Sequence, residues 1–304
     1  MSIVAVSGSF DDLRSRHVRF LEEAAKLGQV HVHLWPDETV RSLTGAWPKF
    51  PQTERLYFLN AIRYVSQVTL ADASLKPDEL PLTDAPGAQS ADCWAVFEEA
   101  HTDAKVSFCQ QAGIAYRVIP DDALAGFPLF DAAAAQKPAD LLRQAQDDRL
   151  VSERPFGRPS RSQEVVEQRP KVIVTGCYDW LHSGHVRFFE EVSQLGDLYV
   201  AVGNDANVRL LKGAGHPLFP QPERCYMVQA IRYVYQALTT SGTGWMDAEP
   251  EIAWLKPEMY AVNEDGDKPG KRAFCAEHGL QYVVLKRAPK EGLPRRESTK
   301  LRGF

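Results

Sequence analysis

The feature that most constrains the fold of this chain is that its sequence repeats itself. Residues 3–28 read IVAVSGSFDDLRSRHVRFLEEAAKLG, and residues 172–196 read VIVTGCYDWLHSGHVRFFEEVSQLG. Shorter matches then follow in the same order along both halves: Thr53-Glu-Arg55 with Pro222-Glu-Arg224, 61–65 with 230–234, 75–77 with 255–257, and 105–109 with 271–275. Such continuous self-similarity predicts two copies of one domain.

Each copy begins with an apolar run, a loop and an amphipathic helix. In the second copy, Val172-Ile-Val174 predicts a buried strand, and apolar residues at helical spacing follow until Gly196. Further patterns predict strands at 198–202, 258–262 and 281–285 and helices at 222–237 and 268–278. Because strands and helices alternate, we expect an α/β fold with a parallel sheet covered on both faces in each copy. Ligands bind such sheets beyond the carboxyl ends of the strands.

The loop between the first strand and helix of the second copy is the candidate site. Residues 175–185 read TGCYDWLHSGH, with Gly176 at the turn and Gly184 between His182 and His185. A helix N-terminus offers unpaired N–H groups and a partial positive charge, which suit a phosphate. This arrangement predicts a nucleoside triphosphate site. Zinc binding is one alternative, although no carboxylate or cysteine stands beside the histidines at ligand spacing. Surface histidines at a helix start are the other.

The pattern Gly-x-Tyr-Asp-x-x-His-x-Gly-His at residues 176–185 resembles the signature of the HxGH nucleotidyltransferases, and of the cytidylyltransferases in particular. Residues 292–302, GLPRRESTKLR, are similar to the second signature of that family, an arginine followed by a Ser-Thr pair that opens a helix. The tandem arrangement looks like ethanolamine-phosphate cytidylyltransferase. The loop at 209–215 looks equally like the nucleotidyltransferase domain of bacterial ADP-heptose synthases, which use ATP. The resemblance implies two tandem Rossmann-like domains of the HUP type.

The resemblance also implies the chemistry and the residues that perform it. A phosphate monoester attacks the α-phosphate of the nucleotide, so the reaction needs positioning and positive charge more than a strong base. The implied catalytic residues are His182, His185, Lys212, Ser298 and Thr299. The implied nucleotide-binding residues are Gly176, Cys177, Tyr178, Asp179, Gly184, Asn263, and Arg295 or Arg296. The implied acceptor-binding residues are Asp205, Arg232, Asp265 and Asp267. Mg²⁺ is expected, bound mainly through the phosphates and without assigned protein ligands.

The two copies differ at the positions that carry this chemistry. Arg14 stands in place of His182, Arg16 in place of Gly184, and Thr44 in place of Lys212. We therefore expect a degenerate pseudo-domain at 1–120, a linker at 121–170 and a catalytic domain at 171–304. Because both copies keep Ala-Ile-Arg-Tyr-Val, we hypothesise that the first is a built-in dimer partner for the second. A homodimer of whole chains also remains open, and so does a plain role of that segment in a helix core.

Composition limits the partners. The formal net charge of −5 gives no footprint for nucleic acid or an anionic membrane. No apolar stretch approaches a membrane span, no signal peptide is recognised, and the five cysteines form no Cys-x-x-Cys pair, so we expect a cytoplasmic protein. The predicted function is transfer of CMP from CTP to a small phosphorylated alcohol or sugar, with release of pyrophosphate. The alternatives are an ATP-dependent adenylyltransferase acting on a sugar phosphate and a nucleotide-binding sensor without turnover.

Overall fold

The computed structural model describes residues 2–74, 76–81, 91–128 and 169–301, with the side chain of Thr299 left out. The described residues contain two five-stranded parallel sheets with helices packed around them. The first sheet and its helices comprise β1 Ile3–Gly8, α1 Ser15–Ala25, β2 Gln29–Leu34, α2 Asp37–Thr44, α3 Gln52–Asn60, β3 Val65–Leu70, β4 Cys93–Phe97, α4 Asp103–Ala112 and β5 Ala115–Ile119. Most of the predicted linker, residues 129–168, lies outside the described residues, as does Leu75 of the repeat.

The second sheet repeats the described strands and helices of the first in order, with two further helices, Glu249–Leu255 and Ser298–Leu301. Its strands and helices are β6 Lys171–Gly176, α5 Ser183–Ser193, β7 Asp197–Val202, α6 Asp205–Lys212, α7 Gln221–Gln229, β8 Gln236–Thr239, α8 Glu249–Leu255, β9 Met259–Asn263, α9 Pro269–Glu277, β10 Gln281–Leu285 and α10 Ser298–Leu301. Short 3₁₀ turns cover Glu98–Ala100, Asp121–Leu124 and Glu264–Gly266. The predicted α/β fold class is therefore confirmed.

The strand order opens a crevice at the same place in both sheets. The orders are β3-β2-β1-β4-β5 and β8-β7-β6-β9-β10, with every neighbouring pair parallel. The order reverses between β6 and β9, and these strands pair only at Val172 with Met259 and Ile173 with Tyr260, near their amino ends. The two strands separate toward their carboxyl ends, which are Gly176 in β6 and Asn263 in β9. Ligands bind between the carboxyl ends of such strands in folds of this kind.

One predicted helix is wrong in its second half. The helix expected over 222–237 ends at Gln229, residues 230–234 form a turn, and Gln236–Thr239 is strand β8. The apolar residues Ile231 and Val234 do recur at helical spacing, and both are buried. Their burial comes from contact with the other half of the chain, a long-range effect that overrides the local pattern.

The two halves contact each other through reciprocal backbone bonds. Ile62 and Ile231 form an antiparallel bridge between the halves. The backbone N–H of Arg63 donates to the carbonyl of Ala230 at 2.9 Å. In the reciprocal bond, the N–H of Arg232 donates to the carbonyl of Ala61 at 2.8 Å. The repeated Ala-Ile-Arg-Tyr-Val segments therefore meet in a contact that looks the same from either half.

The arginine side chains of these segments repeat the reciprocity. The Arg63 guanidinium donates to the carbonyls of Ile231, at 3.1 Å, and Val234, at 2.6 Å. Arg232 makes the equivalent pair of bonds to the first half, at 2.8 Å to Ile62 and to the carbonyl of residue 65. Burial lowers the pKa of Arg63 to about 10 and also lowers that of Arg232. Arg232, predicted to bind the acceptor, is thus an interface residue.

None of the helices in the described part of the chain has the length and apolar character that a membrane crossing requires.

The interface arginines give a direct test of this contact. Arg232→Ala removes two donors and leaves first-half carbonyls without them, so we expect the free energy of unfolding to fall by about 2 kcal/mol. Arg209→Ala, which changes an exposed arginine, should leave stability within about 0.5 kcal/mol. Urea unfolding followed by circular dichroism measures both, and equal stability of the two variants would contradict the interface.

Candidate functional site

The motif loop packs the ring of Tyr178 closely over Gly176. Tyr178 sits in the left-handed region with φ 51°, and its ring folds back over the end of β6. A Cβ added at Gly176 would lie 2.7 Å from that ring, closer than any real contact. The same ring meets the His185 ring edge-on, with centroids 5.3 Å apart. The strand end, the tyrosine and the second histidine are therefore positioned as one packed unit.

The two motif histidines stack at the start of α5. His182 is the N-cap residue, and its Nδ1 accepts the N–H of Gly184 at 3.1 Å. Its ring lies over the ring of His185 with centroids 4.0 Å apart. Because Nδ1 is an acceptor, the proton of the neutral ring is on Nε2. Among the described residues, neither this Nε2 nor Nδ1 of His185 has a hydrogen-bond partner, although both atoms are buried. Buried polar atoms without partners point to a ligand.

Both imidazoles are neutral near pH 7. Burial, with smaller contributions from the positive charges of Arg287 and Arg296, lowers the pKa of His182 to about 3. Burial also holds the pKa of His185 well below its usual value, with smaller contributions from His182, Arg287 and Lys212. The histidines can therefore act as N–H donors to an anion, while the fixed positive charge comes from the surrounding arginines and lysine.

A basic cleft opens beside Gly184. Its polar lining is Gly184, Arg187, Glu191, Asn263, Lys286, Arg287, Arg295 and Arg296, five cations to one carboxylate. The structure thus brings together Gly184, Asn263 and both tail arginines that the sequence nominated. Lys286 and Arg287 were not predicted, although they directly follow β10 at the same edge of the sheet, and that position was the available signal.

Of the two aspartates in the acidic segment after β9, one is bonded to a residue of the cleft and the other is not. Asp265 forms an ion pair with Arg287, whose other amino group donates to the carbonyl of Arg296 at 3.1 Å. Asp267 instead forms an exposed pair with Arg272, at 2.9 Å to its Nε. Of these two predicted acceptor ligands, Asp265 reaches the site through an arginine and Asp267 does not join it.

A buried arginine that sequence reasoning missed holds the loops around the site. Arg224, 1% exposed, donates to the carbonyls of Cys177 at 2.5 Å, Gly203 at 2.7 Å and Phe219 at 2.9 Å. It also pairs with Asp205 at 2.7 Å. The carbonyl of Cys177 and the carboxylate of Asp205 are therefore both bonded to this arginine. The repeat of this arginine in Thr53-Glu-Arg55 could have indicated its structural role. Arg55 is also buried, and it binds two of the equivalent carbonyls and the equivalent aspartate of the first half.

Asp179 anchors the loop that follows Lys212. Its Oδ1 accepts the N–H groups of Leu218 at 2.6 Å and Phe219 at 3.0 Å. Lys212 is the exposed last residue of α6, followed by glycines at 213 and 215 with positive φ. Its charge lowers the pKa of His185, so the lysine lies near the histidines. Asp179 therefore positions a loop, which differs from the direct nucleotide contact predicted for it.

The tail lies against the motif loop. Ser298 begins α10 and its Oγ donates to the carbonyl of Trp180 at 3.3 Å. Thr299 belongs to the same short helix, and its side chain lies outside the described residues.

The equivalent site in the first half is filled by its own side chains. Arg16, at the position of Gly184, pairs with Glu99 at 2.8 Å and Asp121 at 2.7 Å. Asp121 stands two residues after β5, as Arg287 stands two residues after β10. One charge is therefore inverted: an arginine stands at the position of Gly184, and its partner Asp121 stands at the position of the cation Arg287.

Metal binding by the histidines finds no support in the geometry. In the parts of the chain that the structure describes, no three histidine, cysteine or acidic side chains lie together in a way that could hold a metal ion.

Comparison with known proteins shows which family the chain resembles. The family model described as cytidylyltransferase-like matches residues 173–289. The bifunctional protein HldE of Methylococcus capsulatus is 39% identical over 95 residues, 31% of this chain and 20% of that protein. The FAD synthase of Methanocella paludicola is 32% identical over 119 residues, 38% of this chain and 81% of that protein. The FAD synthase of Archaeoglobus profundus is 32% identical over 134 residues, which are 43% of this chain and 83% of that protein. The chain spans about a fifth of the length of the HldE protein.

The neutral state of His182 predicts a pH-dependent stability. Between its folded pKa of about 3 and its usual value of 6.5, the unfolded chain binds a proton that the folded chain does not. Stability should therefore fall as pH falls from 7 toward 4. His182→Asn keeps a capping acceptor but cannot titrate, so its slope below pH 6 should be smaller by up to about 1.4 kcal/mol per pH unit. The free energy of unfolding of both proteins is measured by urea unfolding at pH 7, 6 and 5. If it falls by the same amount in the wild type and in His182→Asn, the prediction is contradicted.

Proposed function

Because the chain belongs to the cytidylyltransferase-like family of nucleotidyltransferases, we propose that it transfers a nucleotidyl group from a nucleoside triphosphate to a small phosphate monoester, releasing pyrophosphate. The observation that carries this proposal is the pair of stacked, neutral histidines with unpartnered nitrogens beside a cleft lined by five cations. Neutral donors together with fixed cations suit a triphosphate whose charge is redistributed during the reaction.

In the proposed reaction, an oxygen of the acceptor phosphate attacks the α-phosphorus. The bond from that phosphorus to the bridging oxygen of the β-phosphate breaks, and pyrophosphate leaves with the electron pair. No proton has to be removed from the nucleophile, because a phosphate monoester is ionised near pH 7. The N–H groups of His182 and His185 would stabilise charge on the α-phosphate oxygens, while Arg287, Arg295 and the mobile Lys212 would bind the leaving pyrophosphate. Mg²⁺ would enter as part of the nucleotide substrate.

Two nucleotides are candidates for the donor. The motif pattern and the name of the matching family favour CTP, with CMP passing to a phosphorylated alcohol or sugar. The FAD synthases favour ATP, because FAD contains an AMP unit joined to a second phosphate monoester, FMN. The base contacts would come from loops at the carboxyl ends of the strands, where Asn263 lies.

We also propose that the first half takes no nucleotide and serves as the built-in partner of the second. Arg16 and its two carboxylates support this, since they occupy the region equivalent to the cleft. The reciprocal interface supports it too, because it joins the halves as two subunits of a dimer would be joined.

The decisive test is pyrophosphate release with Mg²⁺, crossing CTP and ATP against ethanolamine phosphate, glycerol 3-phosphate, FMN and sugar 1-phosphates. We expect turnover with one pair and a loss of at least about 100-fold in His185→Ala, because a transition-state donor is removed. The matched control is His17→Ala, the equivalent residue of the first half, which should keep its turnover.

Either of two results would contradict the proposal. Tight nucleotide binding without pyrophosphate release for any acceptor would indicate a nucleotide-binding sensor that does not catalyse the reaction. Equal loss of turnover in His185→Ala and His17→Ala would mean that the effect reflects folding and not chemistry at the second site.

A further inference from the structure

A carboxylate of the first half lies inside the site of the second half. Glu54, on α3, is 2% exposed. Its Oε2 accepts from Nε of Arg296 at 3.0 Å and from a terminal nitrogen of that arginine at 2.7 Å. Its Oε1 accepts the hydroxyl of Ser183 at 2.5 Å. Ser183 is the first residue of the motif helix α5, so one buried group from the first half contacts both the tail and the motif.

These contacts hold the side chain of Arg296 against the first half. A buried carboxylate without its cation is strongly unfavourable, so the departure of Arg296 would leave Glu54 uncompensated. The guanidinium also lies 5.1 Å from the ring centroid of Phe50, a second residue of the first half. The bidentate geometry is the strong form of an arginine–carboxylate contact.

Arg296 in turn orients a cation of the cleft. Its carbonyl accepts from Arg287 at 3.1 Å, and it lies 3.8 Å from where a Cβ on Gly184 would be. Arg295, the neighbouring residue, is exposed and lines the cleft. The path runs from Glu54 through Arg296 to Arg287, beside the cleft at Gly184.

We infer that Glu54 is a positioning residue through which the first half sets the phosphate-binding geometry of the second. In this arrangement Arg296 is the clamped link, and Arg287 and Arg295 make the phosphate contacts. The part of this inference that concerns phosphates rests on the proposed function. The clamp on the tail does not, and it is tested separately.

The chain offers a matched control for Glu54. The equivalent residue of the second half is Glu223, which accepts the hydroxyl of Ser15 at 2.6 Å. Ser15 corresponds to Ser183 in the repeat, so the serine contact is the same in both halves. Among the described residues, Glu223 has no arginine partner, and the difference between the two variants therefore isolates the Arg296 clamp.

The first experiment measures hydrogen–deuterium exchange of residues 292–301 in the full chain without ligand. Glu54→Gln should speed exchange of this segment at least about tenfold relative to the wild type, because the tail loses its ionic anchor. Glu223→Gln should leave it unchanged. Unchanged exchange in Glu54→Gln overturns the inference, whatever the chain catalyses.

The second experiment measures KM for the nucleotide and kcat separately. Glu54→Gln should raise KM at least about tenfold with a smaller change in kcat, since Arg287 loses its orientation, and Glu223→Gln should change neither. The double variant Glu54→Gln with Arg296→Gln replaces the ion pair by two amides, and it should recover much of the wild-type KM. A double variant as weak as Arg296→Gln alone would show that Arg296 itself contacts phosphate, which overturns the assignment.

The two experiments separate the failure of this inference from that of the proposed function. If the wild type releases no pyrophosphate but the tail of Glu54→Gln exchanges faster, the clamp stands and the proposed reaction fails. If the wild type turns over and Glu54→Gln matches Glu223→Gln in both readouts, the reaction stands and the clamp fails.

Discussion

The reciprocal bonding of Arg63 and Arg232 to carbonyls of the opposite half is the constraint on which the rest of the structure depends. It brings α1 against α7 and α3 against α5, so that residues of both sheets share one hydrophobic cluster. Matching polar contacts follow, with Tyr57 bonded to Glu190 at 2.6 Å and Tyr226 to Glu22 at 2.8 Å. Without this docking, the second half would have its motif loop but no group to neutralise and hold the tail arginine.

The site divides its work between two kinds of donor because burial treats them differently. Imidazoles lose their charge when buried, so the stacked histidines supply N–H groups without positive charge. Guanidinium groups keep their charge, and they surround the histidines from the tail and from the segment after β10. An anion in the cleft would therefore meet positive charge that does not depend on the protonation of the histidines near neutral pH.

The sequence was most informative where local pattern decides the structure. Apolar runs, glycine-ended helices and the motif around Gly184 predicted the fold class and the loop at which the cleft opens. The residues that escaped prediction act over long distances: Arg224 joins three loops, and Arg287 and Glu54 matter only because distant segments meet. Arg232 was assigned to the acceptor although its repeated Ala-Ile-Arg-Tyr-Val segment suggested contact between the halves, because the carbonyls that its side chain binds belong to a distant part of the chain.

The charges around Arg16 have a consequence for the molecule as a whole. A pair of proteins joined in this manner would ordinarily hold two ligands and could communicate between two equivalent sites. Here the guanidinium and carboxylates of one half bond to each other within the chain, so on the proposed function an architecture with approximate two-fold form would bind one nucleotide. Ligand binding energy would then stabilise one half directly and reach the other only through their shared interface. On the proposed function, the symmetry of this chain would support the site of the second half and would not add a second site.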